Sequence, residues 1–474
     1  VRSILKLQPI LQICLLFFTS LLSAQTAKYP FPQNVTYPYG VISKKISNEF
    51  VQTWYDKWKT KYLQQCNGNI RPGVSPLDKS LVEAQGFAMV AVAYMGDKDI
   101  FDKLYSFYKT KVNSTACGLM NWKVNCSGFE SNGMGAATDG DVDVACALIV
   151  ADWQWPGSGY DKKAKDLIKI LEGMVTECSG ISTLYPGCNG GNKWGGCQET
   201  DISYYTPAFF RYYAKYSDKP EFWIKLADDT QKIRDNAANK NTGLVPDWQS
   251  ASGTAGAGSR KGYYSFDAQR APYKQTMDYL WHGTKAAGEW AKKLSSWAYK
   301  TGVSSLKDEY NLDGSARGSN HNMAAIGSFA VSAMANTQEV ADKFAEEVLK
   351  LRDEYWYSGY LGNLYLLALT GNMWNPDIIK SENATTSSKN KPSGSFSKIP
   401  DIVNAKDRIV ISGLSDIQSV TVMSISGKVV KKIQTSVIDG KSVITVPDLS
   451  KGCYFLQMKK HSHSQPTVKM ISVF

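Results

Sequence analysis

From about residue 43 to residue 371, apolar side chains recur at three- and four-residue spacing, a period that predicts one helix after another. Twelve segments carry it: 46–64, 78–94, 98–111, 140–154, 161–176, 202–216, 219–237, 267–282, 284–300, 320–334, 338–351 and 357–371. Several of the loops between them are long and rich in glycine and aromatic residues. Twelve such helices suggest an all-α toroid, an (α/α)6 barrel in which inner and outer helices alternate along the chain. The residues with chemical potential fall near the starts of the second, fourth, sixth and eighth segments: Glu83, Asp139 with Asp141, Tyr204 and Asp267. If every second helix is an inner one, these starts open at the same end and one cleft collects them.

After Trp374 the pattern changes. Residues 381–398 are Ser, Thr, Asn, Lys, Pro and Gly with almost no apolar side chain, which reads as a linker. Beyond it come short alternating runs, including 409–411, 420–425, 443–446 and 454–458, punctuated by turn signals such as Ser426-Gly427-Lys428 and Lys451-Gly452. They predict a small β-sandwich. At the other end, Arg2 and Lys6 precede an apolar run from Ile10 to Leu22 that closes in Ser23-Ala24, the three parts of a secretory signal peptide. The expected division is 1–24 signal, 28–376 helical domain, 377–402 linker and 403–474 β-sandwich. No later stretch reaches eighteen uninterrupted apolar residues, so no membrane span is expected.

Composition adds little until export is considered: 43% hydrophobic and 20% charged describes an ordinary globular chain. Export makes disulfides reasonable. Cys14 lies in the signal, and Cys117/Cys126 and Cys188/Cys197 are plausible bridges, whereas Cys146 sits in an apolar helical run as a core thiol. Zinc is disfavoured by the absence of CxxC spacing and by only four histidines, with His461 and His463 near the C-terminus. The formal charge of +11 suggests nucleic acid, but from Asp377 onward 14 basic face 7 acidic side chains and the signal adds two more bases. The central body is nearly neutral, and a solvated basic face explains the excess better than DNA binding.

Each candidate acid has a plain structural explanation. Glu83 at a helix start complements the helix dipole, and Asp267 with Arg270 is a local i,i+3 ion pair. Asp139, Asp141 and Asp143 resemble the opening of a calcium loop, but Val, Ala and Cys follow where further oxygen ligands belong. Taken together with the loop aromatics Trp122, Trp194, Tyr204, Tyr205 and Trp248, the acids read differently. Aromatic faces stack on sugar rings, and paired carboxyl groups cleave glycosidic bonds.

Four ordered strings carry a family resemblance: Glu83-Ala84-Gln85-Gly86-Phe87-Ala88-Met89, Met120-Asn121-Trp122-Lys123, Ala137-Thr138-Asp139-Gly140-Asp141 with residues 149–155, and Asp267-Ala268-Gln269-Arg270-Ala271-Pro272. Over roughly residues 28 to 376 the chain resembles glycoside hydrolase family 8, especially its bacterial endoglucanases. The resemblance implies an (α/α)6 barrel and inverting hydrolysis of a β-1,4-glucan. It makes Glu83 the proton donor, Asp267 the base and Asp139 the acid that grips the sugar. Arg270 would orient Asp267, Tyr204 would sit near the attacking water, and Trp122 and Trp194 would be stacking platforms. Asp141 and Tyr205 join the expected substrate-binding set. The family usually has Trp-Arg after the proline, whereas this chain has Tyr273-Lys274.

The implied substrate is a β-linked polysaccharide, with no metal or cofactor. Xylanase, lichenase and chitosanase are alternatives within the same chemistry, and a non-catalytic glycan-binding surface protein is the alternative outside it. In the last domain, Ser424-Ile425-Ser426-Gly427-Lys428-Val429-Val430, the run 449–455 and Lys469 resemble a type IX secretion sorting domain. That implies the secretion machinery as a partner and a secreted or cell-surface location. A carbohydrate-binding module is the alternative there.

Overall fold

The computed structural model describes residues 26–130, residues 132–381 and seven strands between Asp401 and Val473. The expected signal peptide, most of the expected linker and the turn at 425–427 lie outside the described residues.

Twelve α-helices run from Asn48 to Leu369: α1 Asn48–Tyr62, α2 Val82–Met95, α3 Lys98–Thr110, α4 Thr138–Gln154, α5 Tyr160–Glu172, α6 Pro207–Tyr216, α7 Pro220–Ala237, α8 Ala271–His282, α9 Lys285–Thr301, α10 Met323–Ala333, α11 Gln338–Val348 and α12 Trp356–Leu369. Every segment with helical period is a helix. Four begin three or more residues later than the period suggests, α2, α6, α8 and α10; in α6 and α8 the reason is Pro207 and Pro272, which stand in the first turns and prefer that place. The residues just before them form single 3₁₀ turns, Ile202–Tyr204 and Ala268–Arg270.

The even and odd helices differ in how they meet solvent. All of α10, and nearly all of α2, α4 and α12, is buried, whereas α3, α5 and α11 bury only one stripe. A helix that is apolar all round belongs inside, and an amphipathic one belongs outside. Accordingly α2 packs on α4, α6 on α8, α8 on α10, α10 on α12, and α12 returns to α2. α4 meets α6 through Trp153 against Phe209 and through the Tyr213 hydroxyl on the Val142 carbonyl.

The two ends of this set are built differently. The N-terminal segment crosses the C-terminal ends of the even helices: the Lys28 amide donates to the Gln154 carbonyl, that of Val35 to Gly371 and that of Val41 to Met334. Tyr29 packs edge-on against Trp374. The opposite end, where the even helices start, carries the long loops and their short hairpins, at 63–72, 175–184 and 187–194.

Three disulfides brace these loops: Cys66–Cys126, Cys117–Cys188 and Cys178–Cys197. Both expected bridges are therefore corrected. Each cysteine pairs with one brought close by the fold, and Cys117 reaches the hairpin at 187–194 instead of its neighbour in sequence. Cys146 is a free, buried thiol. The domain also extends past residue 376, since 376–381 is helical, Ile378 and Ile379 are buried, and Asp377 accepts from Tyr212 and Lys215.

The C-terminal unit has two antiparallel sheets, one of three strands (401–405, 408–414, 442–447) and one of four (429–434, 417–424, 452–460, 467–473).

Candidate active site

α2 and α4 approach so closely that side chains would obstruct them. A Cβ on Gly86 would lie 2.7 Å from Asp143 Cβ, and one on Gly140 would lie 2.3 Å from the Val82 carbonyl. These two glycines bring the first turns of α2 and α4 together, and Glu83 and Asp139 are the second residues of those helices. The 3₁₀ turn before α8 delivers Arg270 to the same place, with Asp267 at its N-cap.

Arg270, buried, is shared by four carboxyl groups. Nη1 donates to Glu83 Oε2 at 3.0 Å and to Asp139 Oδ2; Nη2 donates to Asp267 Oδ1 at 3.1 Å and to Asp201 Oδ2 at 3.4 Å. One positive charge cannot balance four negative ones, so the cluster favours proton retention by some of its members. Glu83 shows this most clearly. Its carboxyl is pushed up to about 8: burial raises it most, Arg270 pulls it down, and Asp139 and Asp267 add to the rise. The helix start acts in the lowering direction, and desolvation outweighs it before any sugar is bound. Burial also raises Asp201 well above the usual carboxylate range, with Asp267 adding to it.

A cleft of about 140 Å³ opens over the cluster, lined by Glu83, Trp122, Asp139, Tyr204, Asp267 and Arg270 among others. Asp139 Oδ1 is buried with no hydrogen-bond partner among the described residues. Beyond Glu83 and Asp267 a second hollow of about 200 Å³ is lined by Phe266, Tyr355, Trp356 and Tyr357. Trp194 stacks on Trp248 at 6.0 Å, and the Arg260 guanidinium lies over both rings while paired to Glu199.

The structure thus gathers Glu83, Asp139, Asp267, Arg270, Tyr204 and Trp122 in one cleft, with Trp194 linked to it through Trp248. Asp141 and Tyr205 are not there. Asp141 is fully buried on the other side of α4, accepting from the Tyr108 hydroxyl and the Met120 amide, and burial pushes it up to about 7. Two residues along a helix is a rotation of about 200°, so Asp139 and Asp141 face opposite ways. Tyr205 is also fully buried, its hydroxyl taking the Leu184 amide and bonding Thr200. Both brace loops instead of lining the cleft. Asp143, one turn beyond Asp139, forms a buried ion pair with Lys274 at 2.9 Å. That is the local consequence of Tyr273-Lys274.

Asp201, Asp247 and Tyr357 were not predicted as site residues. Asp247 Oδ1 accepts the Ser265 and Ala268 amides and so fixes the turn that carries Asp267. Nothing in the local sequence around Asp201 marks it, because its partner Arg270 lies 69 residues away. No group of three or more potential metal ligands occurs among the described residues.

Residues 29–374 match the model of glycosyl hydrolases family 8. The chain belongs to that family. It is a glycosidase. Residues 404–473 match the secretion system C-terminal sorting domain, of the type IX kind, which marks the chain for secretion or attachment at the cell surface.

Among curated relatives, Endoglucanase 2 of Ruminiclostridium josui is 33% identical over 377 residues, 75% of this chain and 80% of the relative. Endoglucanase A of Acetivibrio thermocellus is 33% identical over 368 residues, 73% of this chain and 75% of the relative. Among solved structures, the apo β-1,3-1,4-glucanase of Paenibacillus sp. X4 matches with a TM-score of 0.66 and 27% identity, covering 73% of this chain and 99% of that one.

Proposed function

We propose that the helical domain is an (α/α)6 barrel that hydrolyses internal β-1,4-glucan bonds with inversion, an endoglucanase carried out of the cell by its sorting domain. Glu83 is the general acid, Asp267 the general base, and Asp139 the acid that holds the sugar at the point of cleavage. The observation that supports this best is the shared guanidinium: Glu83 sits on one terminal nitrogen of Arg270 and Asp267 on the other, beneath one open cleft.

A glycosidic oxygen leaves well only when protonated, so the acid must keep its proton near neutral pH. Burial and neighbouring carboxyls give Glu83 that property. The base must be ionised and must hold a water on the far side of the sugar ring. Asp267 has a donor on each oxygen, Arg270 Nη2 on Oδ1 and Trp248 Nε1 on Oδ2, and the two together hold it in one orientation toward that water. Asp139 lines the cleft beside Glu83 and Asp267, in place to accept from a sugar hydroxyl. Trp122 and Trp194 supply faces for flanking rings.

The endoglucanase names of the relatives support β-1,4-glucan as substrate, and the Paenibacillus enzyme supports mixed-linkage glucan as the second reading. Release of reducing sugar from carboxymethylcellulose, lichenan, xylan and chitosan separates these from xylanase and chitosanase. Proton NMR of the first products reads the anomer: α from a β-linked chain supports the single displacement, and β contradicts it.

A further inference from the structure

We infer that Trp248 is a positioning residue for hydrolysis: its indole N–H aims and steadies the Asp267 carboxylate, so this tryptophan acts through the base and not as a sugar platform. The inference rests on the assignment of Asp267 as base.

Trp248 is only 6% exposed, so its ring cannot present a face to substrate. Its two neighbours in the aromatic stack take the contacts a sugar would use, Trp194 at 6.0 Å and nearly parallel, Tyr204 at 5.9 Å and edge-on. Arg260 lies 4.4 Å from the ring centre. What remains is the indole nitrogen, which donates to Asp267 Oδ2 at 2.9 Å.

The destination of that bond is distinctive. Trp54, Trp281 and Trp290 also use their indole nitrogens, and each donates to a backbone carbonyl, the ordinary partner of a packed tryptophan. Trp248 donates to a carboxylate, a charge-assisted bond of the stronger kind. Its neighbour Asp247 holds the backbone of the same turn through Ser265 and Ala268. Two adjacent residues therefore fix Asp267 twice, one by its backbone and one by its side chain. With Arg270 on Oδ1, the carboxylate cannot rotate without losing a donor. A base so held keeps its free lone pairs in one direction, which general-base catalysis requires.

The charged and titratable groups facing Asp267 are Glu83, Asp201, Asp247, Tyr204, Tyr357 and Arg270. Only Arg270 among them is a cation, so Trp248 is the second donor opposing a mainly acidic surround.

Trp248→Phe keeps an aromatic ring and removes the N–H. The expected result is a kcat on the preferred β-glucan lower by about 10- to 100-fold. Cellotetraose affinity, measured calorimetrically in a Glu83→Gln background, should stay within about threefold, because the stacking faces are elsewhere. Trp248→His returns a ring N–H and should recover part of the kcat loss; it also serves if the Phe variant fails to fold. Asp267→Asn is measured beside them. If Asp267→Asn is inactive while folded Trp248→Phe keeps wild-type kcat, or loses binding as much as kcat, the positioning role is wrong. If Asp267→Asn stays active, the base assignment itself is wrong, and this inference falls with it.

Discussion

Two charge clusters lie one helical turn apart where α4 faces α8 and the turn before it, and they differ in balance. Asp143 and Lys274 form one buried pair, each charge answered by the other. Asp139 and Arg270, four residues earlier on each side, belong to a cluster in which one guanidinium meets four carboxyls. The i,i+4 spacing repeats on both partners, so the geometry is nearly the same. The balance is not. The balanced pair is what a core can tolerate; in the unbalanced cluster Glu83 is pushed up to about 8, by burial first, and faces an open cleft. Charge imbalance beside a cavity, more than burial of charge, separates the chemical site from the structural one.

The sharpest test of that contrast removes the cations. Arg270→Met should lower kcat/KM by about 1,000-fold or more, because acid, base and sugar-gripping acid lose their common anchor. Lys274→Met should leave kcat within about tenfold once folded, but cost about 3–5 kcal/mol of stability by stranding Asp143. Adding Asp143→Leu to Lys274→Met should restore most of that stability, because a buried pair is often replaceable by apolar residues. Steady-state kinetics and urea unfolding check all three. A Lys274→Met enzyme as inactive as Arg270→Met would erase the distinction between the clusters.

A smaller effect concerns pH. Glu83 must be protonated to act, so the basic limb of kcat/KM should fall as pH rises through about 8. The same shift acts on stability. Between the ordinary carboxylate range and about 8 the folded chain holds a proton that the unfolded chain has released, so stability from this group falls as pH rises. Glu83→Gln should therefore raise Tm more at pH 8 than at pH 4.5. The side chain is 21% exposed, which limits the gain. An equal change in Tm at both pH values would deny the linkage.

Periodicity made the helices legible because a helix needs only neighbours in sequence to reveal its face. All twelve are present, and the late starts of α6 and α8 trace to Pro207 and Pro272. The acids were legible through motifs, as far as Glu83, Asp139 and Asp267. Asp141 was misread even though helix geometry alone would have turned it away from Asp139. Asp201, the indole of Trp248 and the disulfide partners could not be read locally, since each depends on a contact made by a distant loop. Cys117 meets Cys188 across 71 residues, and no spacing rule announces it. Pairing of loops is a property of the closed fold and not of any segment.

The central claim is that Glu83 gives the proton and Asp267 takes one. An aryl cello-oligoside with a dinitrophenolate leaving group needs no protonation, whereas polymeric glucan does. Rates of Glu83→Gln and Asp267→Asn on both substrates separate the roles. Glu83→Gln should lose about 100- to 10,000-fold on the polymer yet stay within about tenfold of wild type on the aryl substrate, and Asp267→Asn should fail on both. A Glu83→Gln enzyme that cut the polymer at the wild-type rate, or failed equally on both substrates, would contradict the account.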